Sequence, residues 1–224
     1  MICFEAFKKY PIIHGVATRD KTSEDFLKEL RISNSRLVYL EQVHRAKVLR
    51  IDKRTDLSVP LHECDGAITD LDDIAIIVLT ADCLPIFLYD PIKGVIGIAH
   101  AGWHGTYEGI AKNMLNTMKS NFKSDASEVL VGLGPAIRQC CYEVKSEFSI
   151  RFPNSVIKAA HKYYFDLIGE NVEQLLDAGV ASKNIFDCNI CTSCNNERFY
   201  SYRIEGEKAG RMASVIMLKE RSGA

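Results

Sequence analysis

The chain has 224 residues, of which 47% are hydrophobic and 25% are charged, and its formal net charge is −1. This length and composition predict one globular domain over residues 1–224 with a sizeable core, and the near-neutral charge argues against a nucleic-acid partner or a membrane surface. Because no signal-like start and no membrane-spanning apolar stretch is present in the sequence, we expect a cytoplasmic protein.

The first half of the chain is rich in predicted strands. Apolar periodicity predicts strands at residues 12–17, 37–43 and 47–51, and a charged helix near residues 23–30. Residues 74–101 are nearly continuous in apolar side chains, as expected of strands that are covered on both faces. This central segment is therefore the predicted core.

The second half mixes helices with strands. Thr106 is predicted to cap a helix that reaches about residue 122, with Glu108 in its first turn. Further helices are predicted at residues 144–152 and 167–178, the latter ending at Gly179. Strands are predicted at residues 129–133, 185–189, 199–203 and 214–218. Because many strands follow one another too closely for crossover helices, we expect a mixed α/β (α+β) fold, a single layered domain with a central mixed sheet flanked by helices.

A hairpin in the central segment places a thiol near an imidazole. Asp90 and Pro91 predict a turn about the Pro91–Ile92 bond, which sets Cys83 directly opposite His100. Directly opposed side chains on one face of a sheet are about 5 Å apart at Cβ. We therefore expect Cys83 and His100 to meet at the end of a buried sheet, as in a metal site or a nucleophile–base pair.

His44, at the end of the strand-like segment LVYLEQVH, is a third candidate. Two histidines and one cysteine fit a catalytic zinc site with an open fourth position, and type-1 copper sites use the same donors. None of the six histidines forms a His-x-His pair, which argues against a multicopper oxidase.

Three alternative hypotheses stay open at this point. In the first, the protein is a metal-free hydrolase in which Cys83 is the nucleophile and His100 its base. In the second, the site binds a single copper ion and the protein is an oxidase. In the third, a fourth ligand such as His104 completes the zinc site, which is then structural.

Two further groups of residues attract attention. Backbone N–H groups near Thr106 and the glycine-bearing turn GLGPAIR are suited to an anion. Cysteines 188, 191 and 194 have a spacing that binds zinc, but we interpret them as loop packing because no second Cys/His pair is expected nearby. The side-chain candidates for binding phosphate or carboxylate are Arg19, Arg138, Arg203 and Arg211.

A set of motifs runs in order from about Arg19 to Met212: QVH, TADCLPI, AHAGWHG, GLGPAIRQCCYEV, FDL, CT and FYSYR with a later GR. In these motifs the chain resembles the laccase-domain (multicopper polyphenol oxidase, YfiH-like) family, whose members are described as purine nucleoside phosphorylases with adenosine deaminase activity. The resemblance implies a compact α/β fold and zinc, with copper as the alternative metal, at His44, Cys83 and His100. It also implies phosphorolysis of adenosine, inosine and S-methyl-5′-thioadenosine to free base and (methylthio)ribose 1-phosphate, with adenosine deamination as a second activity. The implied partners are purine nucleosides and phosphate.

The sequence departs from the family pattern at three places. AGWRG is AGWHG here, so that His104 replaces an arginine and joins the candidate anion-binding residues. The segment after Thr18-Arg19 lacks the family's Gly-Gly-x-Ser loop, and SYRR is SYRI. These changes predict weaker or pH-dependent phosphate binding.

Overall fold

The computed structural model describes residues 1–32 and 37–220, which form 13 strands and six α-helices. The strands are β1 (Ile12–Val16), β2 (Leu37–Tyr39), β3 (Val48–Arg50), β4 (Gly66–Thr69), β5 (Ala75–Thr80), β6 (Leu84–Asp90), β7 (Val95–Ala101), β8 (Leu130–Leu133), β9 (Glu143–Val144), β10 (Val156–Ala159), β11 (Lys162–Phe165), β12 (Ile185–Asp187) and β13 (Met212–Leu218). The helices are α1 (Ser23–Glu29), α2 (Trp103–Tyr107), α3 (Ile110–Phe122), α4 (Phe148–Arg151), α5 (Leu167–Asp177) and α6 (Tyr202–Glu205). None of these helices is both long and apolar enough to cross a bilayer.

The strands form two large sheets and one small one. One large sheet has the order β1-β13-β5-β2 and the other has the order β12-β8-β6-β7-β4-β3, while β10-β11-β9 form the small sheet. Each large sheet combines parallel pairs, such as β2 with β5 and β3 with β4, with antiparallel pairs such as β6 with β7. The mixed α/β class is therefore confirmed, and the strands of the expected central sheet are divided between two sheets.

The two large sheets pack face to face, and helices cover their outer faces. Phe87 and Ile98 lie in the apolar layer between the sheets. Helices α3 and α5 cover the six-stranded sheet through residues such as Met114 and Leu175, whereas Phe26 of α1 packs on the four-stranded sheet. Burial on both faces explains why the central strands carry almost uninterrupted apolar runs.

The β6–β7 hairpin pairs Pro85 with His100, so the prediction that Cys83 lies directly opposite His100 is wrong by two residues. The cause is the loop, which comprises residues 91–94 and ends at a glycine with a φ of 62°. Oδ1 of Asp90 accepts hydrogen bonds from two backbone N–H groups of this loop, at 2.9 and 3.0 Å. A shift of two residues preserves the alternation of faces, so Cys83 stays on the side of His100.

The helical segment after β7 begins earlier than predicted and is interrupted. Helix α2 follows Gly102, and Gly109, with a φ of 82°, separates it from α3. Thr106 is therefore not an N-cap, because it lies inside α2 and accepts a hydrogen bond from the side chain of Asn171 at 2.9 Å. Glycine adopts this left-handed conformation without the strain that a Cβ causes, which allows the new helix to start there.

Two other predicted elements are wrong. Residues 143–144 are a strand and only Phe148–Arg151 is helical in the predicted helix 144–152, and α6 occupies part of the predicted strand 199–203. The backbone N–H of Arg203 donates to Asp82 at 2.7 Å, a contact with a distant carboxylate that local periodicity does not reveal. The remaining predicted helices and strands coincide with α1, α5, β1, β2, β3, β8, β12 and β13.

Candidate active site

His44, Cys83 and His100 lie together at one end of the six-stranded sheet. Their donor atoms are all within 4.8 Å of one another. The imidazole rings of His44 and His100 are 4.7 Å apart between centroids, at an angle of 84°. His100 is buried at the end of β7, Cys83 directly precedes β6, and His44 is exposed. The structure thus brings these three residues together in spite of the shifted hairpin register.

Asp65 positions two members of this group. Its buried carboxylate accepts hydrogen bonds from the backbone N–H groups of residues 43–45, at 3.1, 3.0 and 2.8 Å, and so holds the loop in which His44 has a φ of 59°. The same carboxylate lies 2.7 Å from Nδ1 of His100. This contact leaves Nε2 of His100 free to face Cys83. The sequence analysis missed Asp65, although an acidic residue directly before the buried segment GAIT was a usable signal.

Cys83 and His100 shift each other's pKa values in opposite directions, that of Cys83 downward and that of His100 upward. Burial raises the pKa of Cys83, but the charge of His100 and hydrogen bonds from His100 and His44 outweigh burial and bring this pKa to about 6. Burial lowers the pKa of His100, whereas the charge of Cys83 and the hydrogen bond to Asp65 raise it above its ordinary value. Because a thiolate is both a metal ligand and a nucleophile, the site supports either chemistry.

Gly102 permits the chain after β7 to pass close to this group. A Cβ at this position would lie 3.1 Å from Sγ of Cys83 and 3.3 Å from Cδ2 of His44. Contacts of this length force a neighbour to move, so any larger residue would disturb the donor atoms. The glycine of the AHAGWHG motif therefore serves the geometry of the site.

The group has three donors and not four. Among the described residues, no further His, Cys, Asp or Glu belongs to the set of donor atoms that lie within 4.8 Å of one another. His104 is exposed, and its ring lies against that of Trp103 with a centroid distance of 3.3 Å and an interplanar angle of 31°. The structure therefore does not place His104 as a closing ligand, and a three-donor arrangement has the open position of catalytic zinc sites.

The three residues line a cleft of about 1030 Å³. This volume is at the upper end of the range, roughly 300–1,000 Å³, that is typical of small-molecule sites. Aromatic and basic side chains line the same cleft, and two of the aromatic rings, Trp103 and Phe148, are 5.0 Å apart between centroids. Such a lining suits a ligand with a planar base and an anionic group. The aromatic residues are Trp103, Tyr142, Phe148 and Tyr202, and the basic residues are Lys145, Arg203 and Arg211.

The five predicted anion-binding residues separate into two groups. Arg203 and Arg211 line the cleft. Arg19 and Arg138 are held by carboxylates of this chain, Glu205 and Asp187, at 2.8 and 2.7 Å. Neither of them lines the cleft, and His104 does not line it either. The structure thus brings two of the five residues to the three donors.

Arg203 is fixed in the cleft by the segment that follows Cys141. Its guanidinium donates to the carbonyl oxygens of Cys141 and Glu143, at 3.4 and 2.9 Å, and lies 5.4 Å from the ring centroid of Tyr142. Burial and the nearby charge of Cys83 raise the pKa of Tyr142, so its phenol stays protonated. The sequence analysis missed Tyr142, because an isolated tyrosine is more often a packing residue than a ligand-binding one.

Asp82 links the cleft to residues 192–203. Its carboxylate accepts hydrogen bonds from Thr192 Oγ1 at 2.6 Å, Ser201 Oγ at 3.1 Å and the N–H of Arg203 at 2.7 Å. Asp82 also lines the cleft. It therefore holds the start of α6, and with it the backbone of Arg203, beside the three donors.

The chain is similar to several known proteins. Residues 17–219 match the family described as multi-copper polyphenol oxidoreductase laccase. A purine nucleoside phosphorylase from Clostridium acetobutylicum is 39% identical over 186 residues, which cover 81% of this chain and 76% of the relative. The adenosine deaminase RL5 from an unknown prokaryotic organism is 32% identical over 206 residues, which cover 85% and 78%.

A solved structure shows the same fold over most of its length. The crystal structure of YlmD from Geobacillus stearothermophilus covers 94% of this chain and 93% of its own, with a TM-score of 0.86 at 27% identity. This fold match extends beyond the cleft to the whole arrangement of sheets and helices. Together with the sequence matches, it confirms the resemblance that the motifs indicate: the chain belongs to the multi-copper polyphenol oxidoreductase laccase family, in which its relatives include proteins named purine nucleoside phosphorylase and adenosine deaminase.

Proposed function

We propose that this protein is a zinc-dependent purine nucleoside phosphorylase with adenosine deaminase activity. Its substrates are adenosine, inosine and S-methyl-5′-thioadenosine. Phosphate forms a bond to C1′ of the sugar, the bond from C1′ to the purine nitrogen breaks, and the purine leaves with a proton. The observation that carries the proposal is that His44, Cys83 and His100 line one cleft with aromatic and basic side chains.

The three donors fit a zinc ion. Imidazole nitrogen and thiolate sulfur are ligands that zinc prefers, and the lowered pKa of Cys83 favours its thiolate form. Asp65 binds the other nitrogen of His100, as carboxylates do for zinc-ligating histidines. When bound, zinc supplies Lewis acidity and lowers the pKa of water in its open position. Copper takes the same donors and is the alternative metal.

The remaining residues of the cleft bind and orient the substrate. Arg203 and Arg211 provide positive charge for phosphate, and the backbone carbonyls that hold Arg203 keep its guanidinium in one position. Trp103 and Phe148 offer aromatic faces to the purine. The protonated phenol of Tyr142 offers a hydrogen-bond donor to a polar group of the ligand.

A metal-free cysteine hydrolase is the second candidate. Cys83, His100 and Asp65 are arranged as nucleophile, base and orienting carboxylate, and Cys83 is favoured as a thiolate. In this mechanism, zinc inhibits the enzyme, because it occupies the nucleophile. Alkylation of the zinc-free protein separates this candidate from the first. A cysteine hydrolase is active without metal and loses this activity when Cys83 is alkylated, whereas a zinc-dependent enzyme is inactive before alkylation.

Product analysis on adenosine tests the proposal. Zinc-loaded protein is incubated with adenosine, with and without phosphate, and the products are separated by chromatography. We expect adenine, hypoxanthine and ribose 1-phosphate only with phosphate. Inosine is expected to form in both conditions and to be converted to hypoxanthine where phosphate is present. Formation of neither adenine nor inosine by fully zinc-loaded protein overturns the proposal. The same assay on copper-loaded protein, combined with oxidation of a phenol, tests the alternative metal.

A further inference from the structure

Cys140, Cys141, Cys191 and Cys194 form a second donor cluster outside the cleft lining. Their sulfur atoms all lie within 4.8 Å of one another. Sγ of Cys194 is 3.3 Å from Sγ of Cys141 and 3.6 Å from Sγ of Cys140, which precede it by 53 and 54 residues. The expectation that no second Cys/His pair stands near the segment DCNICTSC is therefore wrong. Cys188 of that segment lies outside the cluster.

Two tight turns carry these four cysteines. The N–H of Cys141 donates to the carbonyl of Arg138 at 2.9 Å, and the N–H of Asn195 donates to the carbonyl of Cys191 at 3.1 Å. A β-bridge from Ala136 to Cys191 joins the two turns. In a strand, adjacent residues point to opposite faces, but the first turn lets both of its neighbouring cysteines reach the second turn. The backbone therefore determines where all four sulfur atoms lie.

The spacing of the sulfur atoms fits a single tetrahedral ion. With a Zn–S distance of about 2.3 Å, the ligand sulfurs of a tetrahedral site are about 3.8 Å apart. The observed separations of 3.3 and 3.6 Å, and the upper limit of 4.8 Å, lie around this value. Cys191 and Cys194 also have the C-x-x-C spacing of zinc ligands.

The surroundings of the cluster favour a bound cation over a disulfide. Cys194 lies at similar distances from two sulfur atoms, which suits a shared central ion better than a bond to one partner. All four cysteines are free thiols in the structure, and two of them are exposed, so an ion has access from solvent.

We propose that Cys140, Cys141, Cys191 and Cys194 bind one zinc ion in a closed, structural tetrathiolate site. The ion joins two chain segments that position the cleft. Tyr142 and Glu143 directly follow the first pair of cysteines, and Arg203 donates to carbonyl oxygens on both sides of Tyr142. The site is independent of the proposed function, because it shares no ligand with the three donors of the cleft.

Metal content of the purified protein tests this site. The full chain is purified under reducing conditions without chelator, and its zinc content is measured by inductively coupled plasma mass spectrometry. We expect two zinc ions per chain in the parent protein and one in Cys194→Ser. The double variant His44→Ala/His100→Ala also retains one zinc ion, because it loses only the ion of the cleft. Cys188→Ser is the matched control from the same segment, and it retains both ions.

Cobalt spectroscopy identifies the ligands of the second ion. In the double histidine variant, bound cobalt is expected to show the sulfur-to-metal charge-transfer absorption of a tetrathiolate site, and the further change Cys140→Ser is expected to weaken it. If Cys194→Ser fails to fold, the cobalt spectrum still tests whether the four cysteines bind the second ion. Zinc content that Cys194→Ser and Cys140→Ser leave unchanged overturns the proposal, and so does a disulfide among the four cysteines in protein alkylated at cell lysis. Two zinc ions without nucleoside turnover would instead contradict the proposed function alone.

Discussion

The described part of the chain contains two clusters of thiol and imidazole groups that could bind a metal, and the clusters are built in opposite ways. His44, Cys83 and His100 lie at the end of a buried sheet, have three donor atoms and line a large cleft. The four clustered cysteines lie on turns and have four donor atoms, which suffice to complete a tetrahedron. Three donors beside a cleft leave a coordination position open for chemistry, whereas four donors fill the positions of a structural site.

Removal of Cys83 is the strongest test of this contrast. Cys83→Ala is expected to lower kcat/KM for adenosine phosphorolysis by roughly 10³-fold or more, because the three donors act as one unit. The fold is expected to stay intact, which circular dichroism and thermal unfolding check. Cys64→Ala is the matched control, since burial raises the pKa of Cys64 to about 12 and the residue belongs to neither cluster. Equal activity of the two variants would contradict a chemical role for Cys83.

Asp65 tests whether the cleft cluster depends on its carboxylate. In Asp65→Asn, one acceptor oxygen is replaced by an amide NH₂ that faces the N–H groups of residues 43–45 or of His100. We expect zinc affinity or activity to fall by about 10- to 100-fold. Competition with a chromogenic chelator measures the affinity.

The control for Asp65→Asn is Asp187→Asn, because Asp187 is a carboxylate that pairs with Arg138 and not with a residue of the cleft cluster. Asp187→Asn removes the partner of Arg138 at a partly exposed ion pair. Such pairs contribute little to stability, about 0–1 kcal/mol. Zinc affinity of the cleft is therefore expected to stay as in the parent protein. An equal loss in both variants would show that the effect of Asp65 is not specific to the cluster.

Apolar periodicity predicted the strands and the α/β class because burial on one or both faces leaves a local pattern. It placed β1 and β13 near their observed positions, and it placed the buried central strands. The predicted hairpin register was wrong because the register depends on two hydrogen bonds that the side chain of Asp90 accepts from backbone N–H groups of the loop. Apolar periodicity does not indicate which hydrogen bonds a polar side chain makes in a loop.

The two clusters show the same limit at longer range. Cys83 and His100 were predictable as neighbours because one hairpin connects them. The loop of His44 is held by Asp65, which lies 21 residues away from it, and Cys140 and Cys194 lie 54 residues apart. The fold brings these segments together, so the resemblance to a family supplied His44, and the spacing of Cys191 and Cys194 gave no sign that Cys140 and Cys141 lie beside them.

Arg203 and Arg138 test which of the predicted anion-binding residues belongs to the cleft. Arg203→Met is expected to raise the KM for phosphate by roughly tenfold, because it removes a charge-assisted hydrogen bond from the cleft. Arg138→Met is the matched control, since Arg138 is engaged by Asp187 and does not line the cleft. Initial rates over a range of phosphate concentrations measure both variants. A rise in KM for Arg138→Met that equals the rise for Arg203→Met would place the phosphate elsewhere.

His14 is a buried histidine whose ring nitrogen is paired with a backbone N–H, so its pKa can be compared with that of His100. Burial lowers the pKa of His14 to about 4, and its Nε2 accepts a hydrogen bond from the N–H of Phe4 at 2.9 Å. In His100, the Asp65 carboxylate and the Cys83 charge instead raise the pKa. The pKa values of the two buried imidazoles therefore shift in opposite directions because their partners differ.

The sign of the stability effect follows from this lowered pKa. Between the folded pKa of about 4 and the unfolded value of about 6.5, the unfolded chain binds more protons, so His14 stabilises the fold fully only above this range. As the pH falls through it, the free energy of unfolding is expected to drop by up to about 3 kcal/mol from this residue. In His14→Gln, an amide oxygen can still accept from Phe4 but no proton is bound. Urea unfolding at pH 7.5 and 4.5 should therefore show a smaller loss for the variant, and an equal loss in both proteins would mean that His14 is already protonated in the fold.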